Sequence, residues 1–178
     1  MARQVTAGAL ICLFLLFTVG FTLLQPGEPE KEQGQSLEPP GEEKPFDLEA
    51  TIIRQAAKYP QLTPELLHEV IRFESNFDPM AVSHKGAMGL GQIMPGTGAW
   101  AAERLGVKDF NPEMLFDPEF NIKLTAYILS YLIQRYHGDL DKALTAYNRG
   151  ERGLAQFVAR TGTPKSYYSK QILKQLKE

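Results

Sequence analysis

From residue 46 to the C-terminus, the apolar residues of this chain recur at the three- and four-residue intervals of an α-helix. In segment 63–75, Leu67, Val70, Ile71 and Glu74 fall on one helical face, so that an apolar stripe ends in a carboxylic acid. Nothing in this region calls for a large sheet. The pattern therefore predicts an all-α domain.

Capping and turn residues divide this region into seven or eight helices. Thr63, followed by a proline, suits the N-cap of one of them. The first helix should bury Leu48, Ile52, Ile53 and Ala56, and the longest should be the central helix of the core. The expected helices cover residues 47–58, 63–75, 96–105, 118–136, 139–147, 151–160 and 165–176.

Glu74 is the most informative residue, because its place at the end of an apolar stripe implies partial burial. Burial disfavours the charged form of a carboxyl group, so we expect the pKa of Glu74 to lie above its usual value of about 4.3. A proton retained near neutral pH suits a general acid. On periodicity alone, Glu74 could equally turn out to solvent at the end of its helix. The loop that follows, 76–95, is rich in glycine, which suggests close approach of the backbone to a ligand.

Residues 5–24 form an uncharged apolar run that is long enough to cross a bilayer as a helix. Arg3 precedes this run, and a basic residue there favours a cytoplasmic N-terminus. We therefore expect a single-pass anchor in the cytoplasmic (inner) membrane, with the remaining chain on the extracytoplasmic side, in the periplasm or at the cell wall. A cleaved signal peptide is the alternative, although the run is long for one and no A-x-A-like cleavage site follows it. The single cysteine, Cys12, lies inside the run, so no intrachain disulfide can form.

Residues 25–45 combine six glutamates and several prolines with one large apolar side chain, a composition typical of a disordered, extended linker. The sequence thus predicts three parts: an anchor (1–24), a linker (25–45) and a domain (46–178). The domain holds 16 Lys and Arg against 15 Asp and Glu, a balance that gives no support to a nucleic-acid partner. The three histidines show no metal-ligand spacing, so we expect neither a metal nor another cofactor.

Three motifs in this domain resemble those of the SLT-type lytic transglycosylases, bacterial cell-wall enzymes related to goose-type lysozyme. They are FESNFDP at 73–79, GAMGLGQIMPGT at 86–97 and AYNRG at 146–150, and they follow one another at family-like spacing. The resemblance covers residues 47–176. It implies a lysozyme-like helical fold, peptidoglycan glycan strands as the substrate, and one catalytic acid.

The resemblance also implies roles for individual residues. Glu74 matches the catalytic acid, and Tyr147 matches a tyrosine whose hydroxyl approaches that acid. We predict that six residues in or near these motifs, Tyr147 among them, bind substrate. They are Ser75, Ser83, Gln92, Met94, Tyr147 and Asn148. Purely structural roles are the alternatives for four of them: Gln92 could tie down its own loop, Met94 could fill the core, Ser83 could cap a turn, and Asn148 could end a helix. Trp100 and the tyrosines of the long helix are expected in the core.

The chain departs from the family pattern in three places. The common Gly-Leu-Met-Gln segment has Gly91 in place of Met, and Arg149 replaces the small residue usual before the last glycine of the third motif. Near the C-terminus, Tyr167 and Tyr168 follow a segment without the acidic residue often seen there, so they receive no role.

A single acid favours transglycosylation over hydrolysis, because most glycosidases use two carboxylates. Asp78, the nearest second candidate, is better explained as part of the turn that ends its helix. We therefore predict a lytic transglycosylase that cleaves between N-acetylmuramic acid and N-acetylglucosamine and leaves a 1,6-anhydro product. A hydrolytic muramidase on the same fold and a non-catalytic peptidoglycan-binding protein are the alternatives. We take the chain to be a monomer.

Overall fold

A computed structural model of the chain describes residues 45–177. The predicted anchor (1–24), residues 25–44 of the predicted linker, and residue 178 lie outside the described residues. The described part is helical, as predicted. Its helices are α1 Leu48–Ala56, α2 Pro64–Ser75, α3 Pro95–Arg104, a 3₁₀ helix Pro112–Phe116, α4 Pro118–Arg135, α5 Leu140–Thr161 and α6 Tyr167–Gln175.

Side-chain caps start most of these helices. The predicted cap Thr63 is confirmed, because its Oγ1 accepts a hydrogen bond from the Leu66 N–H at 3.2 Å. Such a cap contributes about 1 kcal/mol, since it satisfies an N–H group that has no partner within the helix. The residues that cap α1, α2, α4, α5 and α6 in this way are Asp47, Thr63, Asp117, Asp139 and Ser166.

Helix α4 is the central helix of the domain, as its length and apolar content predicted. It packs against α1, α2, α3, α5 and the 3₁₀ helix. Ile122, Leu124 and Leu129 on α4 are fully buried. Each contributes about 1.5 to 3 kcal/mol by leaving water. This core fixes the relative positions of α2, α5 and α6, which carry the residues of the site described below.

The aromatic residues expected in the core do pack there. The ring of Trp100 lies 5.6 Å from that of Tyr127 and 5.0 Å from that of Tyr131, measured between ring centroids. All three are partly buried against the core cluster. Aromatic contacts at such distances add about 0.5 to 1.5 kcal/mol each.

One expectation about these helices was wrong and one was confirmed. Ile53 was expected in the core but is 55% exposed, because the inward face of α1 carries Ile52 and Ala56, and Ile53 lies about 100° around the helix from Ile52. The segments 139–147 and 151–160 were expected as separate helices, and α5 does consist of two helical parts that meet at the non-helical Gly150. That element is kinked at Gly150, whose φ of 73° and ψ of 161° suit only glycine.

The loop between α2 and α3 is held by two isolated antiparallel bridges, Val82 with Met88 and Met88 with Ile93. No extended strand forms among residues 45–177. None of the helices in this part of the chain combines the length and the apolar character needed to cross a bilayer.

Candidate active site

A cleft of about 970 Å³ opens between the α2–α3 loop and the kinked helix α5. The kink at Gly150 redirects α5, so that residues on both sides of it line the cleft. Six of the seven predicted site residues line this cleft, and Ser75 is the exception. The residues that line the cleft are Glu74, Ser83, His84, Lys85, Ala87, Gln92, Met94, Thr97, Tyr147, Asn148, Arg149, Gly150, Gly153, Gln156, Phe157 and Arg160.

Glu74 lies in the last turn of α2, directly above the fully buried Leu67, Val70 and Ile71. Its carboxyl group is largely removed from water, and this burial raises its pKa from 4.5 to about 7. A hydrogen bond opposes the shift but does not cancel it. The expected rise in the pKa of Glu74 is therefore found in the structure. Among the described residues that line the cleft, Glu74 is the one carboxylic acid.

Tyr168 on α6 holds the Glu74 side chain in place. Its hydroxyl donates a hydrogen bond to Glu74 Oε1 at 2.7 Å, and its ring meets Phe73 edge-on at 5.1 Å between centroids. Tyr168 is only 4% exposed, and burial raises the pKa of its hydroxyl well above 10. The group therefore remains a neutral donor to Glu74 across the physiological range. Because Oε1 accepts this bond, the proton of the acid is left to Oε2.

A cluster of buried hydroxyl groups fixes the start of α6 and thereby the position of Tyr168. Thr145 Oγ1 donates to the Pro164 carbonyl at 2.6 Å and lies 2.8 Å from Ser166 Oγ. Ser169 Oγ donates to Asp141 Oδ1 at 2.7 Å. These bonds join α6 to α5 at a point that sequence motifs did not identify.

The Tyr147 hydroxyl, which the sequence resemblance brings close to the acid, donates to the Gly91 carbonyl at 2.7 Å. Tyr168, which was given no role, makes the hydrogen bond to Glu74. Tyr147 lines the cleft near Glu74, whose charge contributes, after burial, to the raised pKa of the Tyr147 hydroxyl. The sequence did hold a signal for Tyr168, because its four-residue spacing from Ile172 places both on one helical face. A tyrosine buried on that face needs a hydrogen-bond partner for its O–H group.

Asn121 on α4 anchors the cleft loop from beneath. It is fully buried, accepts a hydrogen bond from the Gly91 N–H at 2.8 Å, and donates to the carbonyls of Met88 and Leu115 at 3.1 and 2.7 Å. With Tyr147 on its carbonyl, Gly91 has both backbone polar groups bound by side chains. Sequence reasoning missed Asn121, although a polar residue in the strongly apolar stripe of α4 was a usable signal.

The packing around Gly91 explains why this chain departs from the Gly-Leu-Met-Gln pattern. A Cβ atom at this position would overlap Thr125 Oγ1 and come within 3.0 Å of the Tyr147 hydroxyl. The side chain of Thr125 therefore occupies the space that a larger residue at 91 would need. The bonds to Asn121 and Tyr147 hold the loop in place at this glycine.

Gln92 and Ser83 combine a structural bond with a place in the cleft. Gln92 Nε2 donates to the carbonyls of Ala81 and Gly89, each at 3.0 Å, which leaves Oε1 available to accept from a ligand. Gln92 adopts a φ of 48°, unusual for a residue with a side chain, and such strain is common at functional sites. Ser83 Oγ accepts from the Ala87 N–H at 2.9 Å, which is the turn-capping role considered as the alternative.

Met94 and Asn148 line the cleft, whereas Ser75 does not. Met94 is 43% exposed, so it is not the core residue considered as the alternative. Asn148 lies in the last turn before the helix break at Gly150, which agrees with the helix-ending role considered as the alternative. Ser75 Oγ donates back to the Ile71 carbonyl at 3.3 Å, a bond within its own helix. The structure thus gives Ser75 a local role and leaves its predicted contact with substrate without a geometric basis.

The second acid considered from sequence, Asp78, is not among the residues that line the cleft. Its Oδ1 accepts from the Met80 N–H at 2.9 Å, as expected for a residue that shapes the turn after α2. Among residues 45–177, no group of three or more His, Cys, Asp and Glu side chains could hold a metal ion.

Comparison with known proteins agrees with this arrangement. Residues 51–169 match the family model for the transglycosylase SLT domain. The chain is 37% identical over 82 residues to the soluble lytic murein transglycosylase of Salmonella typhimurium, a match covering 46% of this chain and 13% of that protein. It is 40% identical over 100 residues to a transglycosylase of Enterobacteria phage PRD1, covering 56% and 34%. It is 34% identical over 108 residues to the membrane-bound lytic murein transglycosylase C of Photorhabdus laumondii, covering 56% and 30%. The matches therefore span about a third or less of the length of these relatives.

Solved structures show the same fold. An inactive mutant of the lytic transglycosylase Slt from Pseudomonas aeruginosa superposes with a TM-score of 0.59 at 32% identity, covering 66% of this chain and 19% of that one. The 70 kDa soluble lytic transglycosylase from Escherichia coli superposes with a TM-score of 0.58 at 25% identity, covering 67% and 19%. The predicted all-α, lysozyme-like class is thus confirmed for the described domain.

Proposed function

This chain belongs to the family of proteins with a transglycosylase SLT domain, and we propose that it is a lytic murein transglycosylase. Its substrate is the glycan strand of peptidoglycan, and the bond cleaved is the β-1,4 linkage between N-acetylmuramic acid and N-acetylglucosamine. The product carries a 1,6-anhydromuramoyl end. The observation that carries the proposal is a cleft with a single carboxylic acid whose pKa is raised to about 7.

In the first step, Glu74 acts as the general acid. Oε1 is engaged by Tyr168, so the proton on Oε2 passes to the glycosidic oxygen. The bond between that oxygen and C1 of the muramic sugar breaks, and positive charge develops at C1. The N-acetyl group of the substrate stabilises this charge. A positioned acid of suitable pKa contributes about 10² to 10⁴ to the rate of such a step.

In the second step, the Glu74 carboxylate acts as the base. It takes the proton from the C6 hydroxyl of the muramic sugar, and the freed oxygen forms a bond to C1. This closes the 1,6-anhydro ring and returns Glu74 to its protonated form, so no water is consumed. The Tyr168 hydroxyl stabilises the carboxylate between the two steps, because its hydrogen bond is strongest to the charged form.

Gln92, Met94, Ser83, Asn148 and Tyr147 form the walls that receive the sugar strand. Gln92 offers its free Oε1 to N–H or O–H groups of the substrate, and the exposed Met94 offers an apolar surface. Substrate contact through Ser75 is not part of this proposal.

The test of this function is an assay of soluble products from purified murein, run on the wild-type chain and on Glu74→Gln. We expect anhydro-ended muropeptides from the wild type and a loss of at least about a hundredfold in the variant. Products with ordinary reducing ends would instead indicate a muramidase. Binding of murein without any soluble product would indicate a non-catalytic binding protein.

We further propose that residues 5–24 anchor the chain in the cytoplasmic membrane and that residues 25–45 extend the domain toward the cell wall on the extracytoplasmic side. The support is the length and apolar character of the run, the preceding Arg3 and the acidic, proline-containing composition of the linker. Extraction of membranes with alkaline carbonate tests this. An anchored chain stays with the membrane pellet, and release into the supernatant would refute the anchor.

A further inference from the structure

The cleft has a charge pattern that the cleavage mechanism does not use. Three cationic side chains line it, those of Lys85, Arg149 and Arg160, together with His84. All four are exposed. Among the described residues, no carboxylate lies within ion-pairing distance of the three cations. The cleft therefore offers uncompensated positive charge beside the reacting acid.

Arg149 is held in a defined direction within this group. Its guanidinium carbon lies 4.8 Å from the centroid of the Phe157 ring, a cation–π contact between residues on the two sides of the kink. Gly153 leaves the path for this side chain open, because a Cβ atom at that position would come within 2.8 Å of Arg149 Cβ. The glycine, the ring and the kink at Gly150 thus position the arginine before any ligand binds.

The contact with Phe157 uses none of the guanidinium N–H groups, and none of them donates a hydrogen bond within the described residues, so they are free to donate to a ligand. This planar fork matches the two oxygens of a carboxylate. An arginine stacked on a ring in this way loses less conformational freedom when it binds than a flexible lysine would. Arg149 is also the residue that replaces a small one in the family pattern.

We infer that Arg149, assisted by Lys85 and Arg160, binds the carboxylates of the peptide stems attached to the glycan strand. This inference rests on the proposed function. The amide and hydroxyl groups of the sugars are neutral, so the anionic groups of stem-bearing murein lie on the peptides. The cations share the cleft with Glu74, so they meet the same ligand that the acid cleaves. The enzyme therefore prefers strands whose stems carry free carboxylates over strands whose stems are amidated.

The test measures binding separately from cleavage. The full chain, purified in detergent with Glu74→Gln, is sedimented with insoluble murein before and after carbodiimide coupling to ammonia, which converts the stem carboxylates to neutral amides. The same measurement is made with Arg149→Gln added. Arg104→Gln is the matched control, because Arg104 also lies over an aromatic ring, that of Trp100 at 5.8 Å, but does not line the cleft.

We expect Arg149→Gln to weaken binding to native murein by about tenfold, as for loss of one exposed charge-assisted contact, and Arg104→Gln to leave it unchanged. Amidation should weaken binding of the parent chain by a similar factor. The two changes should not add, because they remove the same contact from opposite sides. Arg149→Lys should restore part of the loss.

Equal weakening by Arg149→Gln on native and amidated murein would overturn the inference, and so would unchanged binding to native murein. Thermal unfolding of each variant checks that the fold is intact. The proposed function fails in a different assay, by absence of anhydro products from the wild-type chain, so the two failures are distinguishable.

Discussion

Replacing Glu74 by Gln should stabilise the domain at neutral and alkaline pH while it removes activity. Burial raises the pKa of Glu74 to about 7 in the folded protein, against 4.5 for an exposed glutamate. Between these two values the folded state keeps a proton that the unfolded chain has lost, so wild-type stability falls as the pH rises. Glutamine keeps the shape of the protonated acid, and its amide oxygen still accepts the hydrogen bond from Tyr168. Its charge does not change with pH.

The size of the effect follows from the pKa difference. Each pKa unit corresponds to about 1.4 kcal/mol, so the full difference predicts that the variant gains about 3 kcal/mol over the wild type above neutral pH. For a domain of this size, that gain should raise the melting temperature by roughly 10 °C. Below pH 4.5, Glu74 is protonated in both states, and the two proteins should be equally stable.

The assay is urea unfolding of a fragment that begins at Pro45, monitored by circular dichroism at about pH 4 and at about pH 8. Taking the difference between the variant and the wild type cancels the titration of all other groups. Glu103→Gln, at an exposed position on α3, is the control for the loss of one negative charge. A gap between Glu74→Gln and the wild type that does not grow with pH would refute the reasoning, and an equal gap for Glu103→Gln would attribute it to net charge.

Four further outcomes are expected. The value of kcat/KM on murein should fall as the pH rises through about 7, where Glu74 loses its proton; a flat profile to higher pH would contradict its role as acid. Tyr168→Phe should move this decline to higher pH and lower the rate, because the lost hydrogen bond favours the carboxylate; an unmoved decline would show that the bond does not tune the acid. Asn121→Ala should cost about 3 kcal/mol in urea unfolding and reduce activity, because the Gly91 N–H loses its partner and the Leu115 and Met88 carbonyls lose a hydrogen bond, although Met88 keeps that from the Ile93 N–H; a cost below about 0.5 kcal/mol would refute the anchoring role. The fragment from Pro45 should fold and cleave murein alone, as measured by circular dichroism and product release; an unfolded or inactive fragment would show that earlier residues are needed.

Local signals in the sequence were sufficient for most of the helices. The cap at Thr63, the proline after it and the apolar spacing around Leu67 and Val70 act within one or two turns, so they can be read without the fold. Ile53 was misplaced because α1 buries only the face that meets its neighbours, and that face is set by tertiary packing.

The candidate site was predictable only where a residue lies in a contiguous motif. Glu74, Gln92 and Met94 are brought to the cleft as expected. Tyr168 reaches Glu74 from 94 positions away along the chain, and Asn121 reaches the Gly91 N–H from 30 positions away. Such contacts depend on how α2, α4 and α6 pack together. No periodicity within one helix reports that packing, which is why Tyr168 was given no role.

The central claim is that Glu74 alone serves as acid and base, so that the sugar's own hydroxyl replaces water. Mass spectrometry of the soluble products from purified murein tests this most directly. The account predicts muropeptides lighter by one water than their hydrolytic counterparts, formed by the wild-type chain and absent with Glu74→Gln. Products of the full hydrolytic mass, or anhydro products made at undiminished rate by Glu74→Gln, would contradict it.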